Sequence, residues 1–257
     1  MKNTNDSFNF RDFYSKRDSN FFDKIEDIIS EYQLTSRDVL KHYNVFTQRR
    51  DIVQTLAYYD LFSLIKEKPG SIVEAGVFMG NGLFTWAKLM ETFCPGDRGR
   101  LVYGFDNFKG YNKKYSLNEK KSIDYIERNV GKFKIDAKFV SRMIELHNND
   151  NLIPGVERVK LYAGDLSKTI PEFLKSEEGV RISLLLIDLN LYYPTKLILN
   201  RLYDLVIPGG IIALRGYGVR PWEGESKAVD EFLKKYSITN IFKFSFSPYP
   251  AIYFIKK

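Results

Sequence analysis

Residues 73–86 read VEAGVFMGNGLFTW: an acid followed by three glycines, Gly76, Gly80 and Gly82, set between two apolar runs. The run before them, 71–75, has the length of a buried strand, and the stretch after them, 82–93, carries apolar residues at helical spacing. The glycines therefore mark a strand-to-helix turn. In an open α/β sheet such a turn lies outside the carboxyl end of a strand, where these folds bind ligands, and glycine lets the backbone approach a ligand closely. A phosphate-gripping loop would read G-x-G-x-x-G or end in Gly-Lys-Ser/Thr. What stands here is Glu74-x-Gly76-x-x-x-Gly80-x-Gly82, and an acid aimed into the loop suits a ligand that carries an ammonium group.

Outward from that turn, short apolar strands are expected at 71–75, 101–105, 158–162, 182–187, 210–214, 241–246 and 251–255, with helices at 82–93, 167–175, 195–205 and 225–236. This alternation predicts a parallel sheet covered on both faces. The last two strands, joined only by Ser247-Pro248-Tyr249-Pro250, must form an antiparallel hairpin, because a parallel crossover needs a dozen residues or more. The fold class is thus α/β with a seven-strand sheet and a reversed final strand. Residues 1–20 lack a sustained period and read as a flexible arm, and 21–70 hold two lead-in helices, at 21–43 and 48–66, ended by Pro69-Gly70. The domain proper then runs over 71–257, interrupted at 107–150 by a polar, partly helical insertion expected over the active-site face.

Composition bounds the function. At 257 residues and 44% apolar, with 20 Phe and 17 Tyr, the chain can bury a substantial core. A lone cysteine, no N-terminal signal pattern and no long apolar run lead us to expect a cytoplasmic protein without a membrane span. The net charge of +7 is spread along the chain beside 32 acids, a diffuse field that favours anionic small molecules at least as much as nucleic acid.

Two more acids join Glu74 at strand ends. LVYGFD places Asp106 where a carboxylate accepts hydrogen bonds from a ribose diol, and YAGD places Asp165 where it can receive an exocyclic amine. Either alone also fits an ordinary turn aspartate. Together the three acids match one ligand with an ammonium, a ribose and an adenine, which describes S-adenosylmethionine better than a dinucleotide.

With these residues in view the chain resembles a class I S-adenosylmethionine-dependent methyltransferase, and more narrowly the macrocin O-methyltransferase (TylF-like) family of sugar O-methyltransferases. The resemblance runs from Phe46-Thr47 through PGSIVEAGVFMGNG, GFDNFKG, YAGDLSKTIPEFL, LLLIDLNLYYPTKLILNRLYDLVIPGGIIALRGYG and SKAVDEFL. It implies a Rossmann-like methyltransferase sheet and a cofactor site formed by Thr47, Glu74, Ala75, Gly76, Gly80, Gly82, Asp106, Asn107, Gly164, Asp165 and Asp188. It implies, too, a dimer or larger homo-oligomer.

The departures from the family pattern bear on the chemistry. Family members usually show Asp-x-Asp after strand 4 and Asp-Asp after strand 5, which together hold Mg²⁺ against the sugar hydroxyls. Here the two positions read Asp188-Leu189-Asn190 and Arg215-Gly216. Two carboxylates have gone and a guanidinium has arrived, a poor donor set for a hard dication. We therefore expect a site without structural Mg²⁺, in which Arg215 supplies the positive charge.

Methyl transfer to a sugar hydroxyl needs alignment and a base. Asp188, emerging from an apolar strand, is the first candidate base and His147, in the polar stretch LHNNDN, the second. His42, between the lead-in helices, ranks below both. Tyr192 with Tyr193, and Trp222, could form a platform for a sugar ring, and Arg220 could grip a phosphate of a nucleotide-linked acceptor. Two alternatives stay open beside the sugar O-methyltransferase: a nucleic-acid methyltransferase, and a degenerate relative that binds the cofactor without turnover.

Overall fold

The computed structural model describes residues 10–110, 119–129 and 135–257. The chain divides into two units, Met1–Ile52 and Val53–Lys257. In the first, α1 spans Phe10–Glu31, α2 Ser36–Lys41 and α3 Tyr43–Phe46, and α4 begins at Arg49 and ends at Ile65. Helix α2 starts where Thr35 and Asp38 exchange a capping box: the Thr35 hydroxyl accepts from Asp38 N, and the Asp38 carboxylate accepts from Thr35 N at 2.9 Å. The arm expected over 1–20 is therefore helical from Phe10 onward, and residues 1–9 lie outside the described residues. The lead-in stretch 21–43 holds the end of α1 and the separate helix α2.

The second unit is a sheet between two layers of helices. Its strands are β1 Ser71–Ala75, β2 Val102–Asp106, β3 Val159–Ala163, β4 Ile182–Ile187, β5 Val206–Leu214 and β6 Ile252–Ile255. They lie in the order β3-β2-β1-β4-β5-β6, all parallel except β6, which runs against β5. The helices are α5 Asn81–Phe93, α6 Lys120–Asn129, α7 Ala137–Asp150, α8 Leu166–Ser176, α9 Tyr192–Leu202 and α10 Glu223–Lys235. All six residues of β4 and all five of β1 are buried, as in strands covered on both faces. Alternate side chains serve two cores: Val73, Ala75, Leu185 and Ile187 pack with α8, α9 and α10, whereas Ile72, Leu184 and Leu186 pack with α4, α5 and α7.

Among the described residues the sheet has six strands, not seven. The stretch 241–246, expected as a strand, keeps a single antiparallel bridge between Phe242 and Tyr253. Phe242 and Phe244 stack on the Tyr253 ring, so the alternation seen in the sequence marks aromatic packing. The ladder does not extend because the chain turns at Ser247, whose hydroxyl donates to Tyr249 O and accepts from Tyr249 N, in a segment whose two prolines bring no N–H. The expected insertion is helical in α6 and α7, while 111–118 and 130–134 lie outside the described residues. No helix among the described residues is long and apolar enough to cross a membrane.

Strand register carries the site. Phe105, Ala75, Ile187 and Leu214 lie side by side across β2, β1, β4 and β5. One residue further, Asp106, Gly76, Asp188 and Arg215 form a row along the carboxyl edge of the sheet. The ladder continues through that row, with Gly76 N donating to Phe105 O at 2.8 Å, Asp188 N to Ala75 O at 2.8 Å and Arg215 N to Ile187 O at 2.9 Å. The row spans the point between β1 and β4 where the strand order reverses, which is where sheets of this kind open a crevice.

Candidate active site at the carboxyl edge of the sheet

The three glycines are explained first by the protein's own packing. Gly76 has φ 95°, and a Cβ there would fall on the carbonyl oxygen of Asp188. Gly80 has φ 92°, begins α5 and faces the Phe84 ring. A Cβ on Gly82 would run into both oxygens of Glu74. The turn is thus compressed against β4 on one side and against a buried acid on the other. Its glycines admit those groups, an explanation different from the ligand approach expected from the sequence.

Glu74 is only 4% exposed and accepts from Trp86 Nε1 at 2.9 Å. Its pKa is pushed up to about 8, first by burial and then by the Asp188 carboxylate; the Trp86 bond and Arg215 pull the other way. Trp86 in turn stacks on Tyr58 at 4.4 Å between ring centroids, and the Tyr58 hydroxyl accepts from Gln54 Nε2 at 3.0 Å. Burial, with Glu74 adding to it, keeps the Tyr58 phenol protonated well above its ordinary range.

Asp106 organises the loops beside it. Its Oδ2 accepts from Phe78 N and its Oδ1 from Phe108 N, each at 2.8 Å. Both donor residues have positive φ, 50° at Phe78 and 53° at Phe108, and the carboxylate stabilises both turns. Asn107 closes its own turn, accepting from Lys109 N and donating to Gly110 O, both at 2.8 Å. Asp165 lies two residues beyond β3 and caps α8, its Oδ1 accepting from Ser167 N at 2.9 Å. Gly164 before it has φ 150° and sits against Thr169.

Asp188 and Arg215 form an ion pair, Nε to Oδ2, at 3.3 Å, with side chains 24% and 31% exposed respectively. The guanidinium also lies over the Tyr249 ring, 5.0 Å from its centroid. Burial pushes the Asp188 pKa up, opposed by Arg215. Arg215 is held above its ordinary value, chiefly by Asp188. The rest of the expected metal position does not fit a dication: residue 190 is an asparagine, 216 a glycine, and the remaining acid is paired with an arginine. The residues do fit a cationic organic ligand. The Asp188 and Asp106 carboxylates both push the Glu74 pKa up, Asp106 also pushes up that of Asp188, and Arg215 opposes both shifts.

Other expected residues fall elsewhere. His147 is on α7, not in a loop; its ring lies against Phe84 at 4.5 Å, and burial together with Lys88 lowers its pKa, with Asp150 opposing. Tyr192 turns its hydroxyl along α10, donating to Glu231 Oε2 at 2.8 Å and accepting from Lys196 Nζ at 2.5 Å. That places it on the α9 and α10 surface, since its ring also carries Lys227 at 5.1 Å. Arg220 is exposed, Trp222 is half-buried before α10, and Tyr193 is 39% exposed. Thr47 and His42 belong to the first unit, at the ends of α3 and α2.

Two acids of the site escaped the sequence reading. Glu225, in α10, is fully buried and accepts from Gly216 N and Asn190 N. Glu119, just before α6, accepts from Tyr192 N at 3.1 Å and lies against Gly224, while Ser122 donates to Pro221 O. These contacts tie the insertion across the loops after β4 and β5. Neither acid carries a local pattern, because Glu225 meets Gly216 9 residues away and Asn190 35 away, and Glu119 meets Tyr192 73 away.

A family model described as macrocin-O-methyltransferase (TylF) matches residues 48–244. The fold is similar to the solved structure of CalS11, a calicheamicin methyltransferase, at TM-score 0.78 and 22% identity, over 93% of this chain and 92% of that one. A second structure, apo CalS11 described as a TDP-rhamnose 3'-O-methyltransferase, matches at TM-score 0.77 and 22% identity, over 93% and 94%. The O-methyltransferase NovP matches at TM-score 0.64 and 21% identity, over 80% of each chain. A search of curated protein sequences returned no match.

Proposed function

The chain belongs to the macrocin-O-methyltransferase (TylF) family, and from that premise we propose how this S-adenosylmethionine-dependent O-methyltransferase works. Its acceptor is a hydroxyl of a sugar, and the reaction runs without Mg²⁺. The observation that carries the reading is the 3.3 Å pair of Asp188 and Arg215 at the family's metal position. The name of the CalS11 enzyme supports a nucleotide-linked sugar as acceptor.

The cofactor, when bound, supplies an electrophilic methyl on a sulfonium. Glu74, Ala75, Gly76, Gly80 and Gly82 would line its methionine end, Asp106 and Asn107 the ribose, and Gly164 and Asp165 the adenine. Glu74, buried and with its pKa raised by burial and by Asp188, suits an ammonium partner. Asp188 takes the proton of the acceptor hydroxyl on its carboxylate, and its raised pKa makes it a better acceptor for that proton. Arg215, held by Tyr249, stabilises the negative charge that develops on the acceptor oxygen. His147 has less support as a base, because its ring is packed against Phe84.

The test is calorimetry with S-adenosylmethionine, followed by methyl transfer to a panel of nucleotide sugars beginning with TDP-rhamnose, with and without chelator. Binding and chelator-resistant transfer are expected. Heat with NAD and none with S-adenosylmethionine would overturn the cofactor; binding without transfer to any sugar would favour the degenerate relative.

A further inference from the structure

Glu225 is completely shielded from solvent and has no part in the chemistry above. Its two oxygens serve two different loops. Oε1 accepts from Gly216 N at 2.7 Å, and Oε2 from Asn190 N at 2.8 Å. Gly216 follows Arg215, and Asn190 lies two residues beyond Asp188, so one carboxylate joins the segments that carry both members of the ion pair. Asn190 has φ 62°, a conformation asparagine tolerates better than most residues, and its N–H points to Glu225 from there.

The missing side chain at 216 completes the arrangement. A Cβ on Gly216 would lie 3.0 Å from Glu225 Oε2 and 3.0 Å from Asn190 Oδ1. The Glu225 carboxylate thus stands in the room that a side chain at 216 would use, the position where the family resemblance leads one to expect the second acid of an Asp-Asp pair. An acid in the first turn of a helix is ordinarily accounted for by the helix dipole. That account requires neither full burial nor a carboxylate bound to two separate loops.

We propose that Glu225 is the positioning residue of this active site: it delivers from α10 the carboxylate that position 216 lacks and, by clasping the loops after β4 and β5, holds Arg215 against Asp188. The proposal rests on the reading that this pair does the chemistry. Removing the carboxylate takes the acceptor from a buried N–H at Gly216 and a part-buried one at Asn190, and the loops move to satisfy them. The pair then loses its alignment although neither of its members has changed.

Glu225→Gln tests this, because the amide keeps the volume but offers one acceptor oxygen and sets an NH₂ against the other N–H. In a crystal structure of the folded variant the Asp188 to Arg215 separation is expected to open beyond about 4 Å, the limit of an ion pair. Methyl transfer to TDP-rhamnose should fall by at least roughly tenfold with S-adenosylhomocysteine affinity changed less than about threefold, and Glu225→Gln should add nothing to Arg215→Ala. An intact pair with unchanged turnover overturns the proposal, as do independent, multiplying effects of the two substitutions. Should Glu225→Gln fail to fold, Gly216→Asp with Glu225→Ala moves the carboxylate back to the loop; that variant is expected to fold with the pair formed, and an open pair there overturns the proposal. A wild type that binds no S-adenosylhomocysteine and methylates no sugar overturns the functional reading, while the pair geometry in the variants still decides this one.

Discussion

Arg215 reaches across from the end of β5 to the Asp188 carboxylate at the end of β4, Nε to Oδ2, at 3.3 Å, with Tyr249 beneath the guanidinium. Adjacent parallel strands paired through Ile187 and Leu214 set these two residues side by side, so register brings the members of the pair within reach of one another. It puts a fixed positive charge next to the candidate base, which is what a site without a metal requires.

Arg215→Ala should therefore lower turnover while leaving S-adenosylmethionine affinity nearly unchanged. Loss of one charge-assisted donor to a developing alkoxide costs roughly 2–4 kcal/mol of transition-state stabilisation, on the order of tenfold to a thousandfold in rate. Steady-state kinetics with and without chelator check this. Activity lost on chelation and recovered with Mg²⁺ would show that a metal, not the guanidinium, carries the charge.

Asp106→Ala has two expected effects. Cofactor affinity should fall by about 1.5–3 kcal/mol, the range for hydrogen bonds to a charged group. The N–H groups of Phe78 and Phe108 also lose their acceptor, so the melting temperature should drop in the absence of any ligand. Calorimetry and thermal unfolding separate the two, and an unchanged affinity would move the ribose to another residue.

The glycine turn predicts a ranking. Gly76→Ala must place a methyl into the Asp188 backbone at φ 95°, where neither partner can yield; Gly82→Ala first meets the Glu74 side chain. Overpacking of this kind costs about 1–3 kcal/mol or more. Urea unfolding should show Gly76→Ala to be the more destabilising of the two, and the opposite order would mean that the turn relaxes at β4.

Much of this molecule was legible in its sequence because parallel strands buried on both faces leave continuous apolar runs. ISLLLI at 182–187 is one such run, and the acid after it must emerge at the ligand edge. Periodicity failed at 241–246, where Phe242 and Phe244 alternate to stack on Tyr253 without building a ladder. It failed again at His147, whose polar neighbours LHNNDN are the last turn of α7. The Glu225 clasp left no trace at all, since an acid in the first turn of a helix is what surface helices carry anyway. Only the three-dimensional meeting of Asn190, Gly216 and Glu225 distinguishes it.

The last prediction concerns Glu74, whose pKa is raised from 4.5 to about 8 by burial and the nearby Asp188. An acid with a raised folded-state pKa binds its proton more tightly in the native protein than in the unfolded chain. Its contribution to stability is full below pH 4.5 and is lost as pH rises through about 8. The slope is at most about 1.4 kcal/mol per pH unit for this one group. Affinity for a cationic cofactor should run the opposite way, rising with pH over the same window as the carboxylate loses its proton. Glu74→Gln, isosteric but unable to ionise, should flatten both trends, keeping the Trp86 bond through its amide oxygen while weakening cofactor binding at pH 8. Denaturant unfolding and calorimetry from pH 5 to pH 8 measure the two slopes. If affinity in the wild type is flat across that range, or the Gln variant binds the cofactor equally well at its upper end, Glu74 does not meet the ammonium group and its burial serves only to seat Trp86.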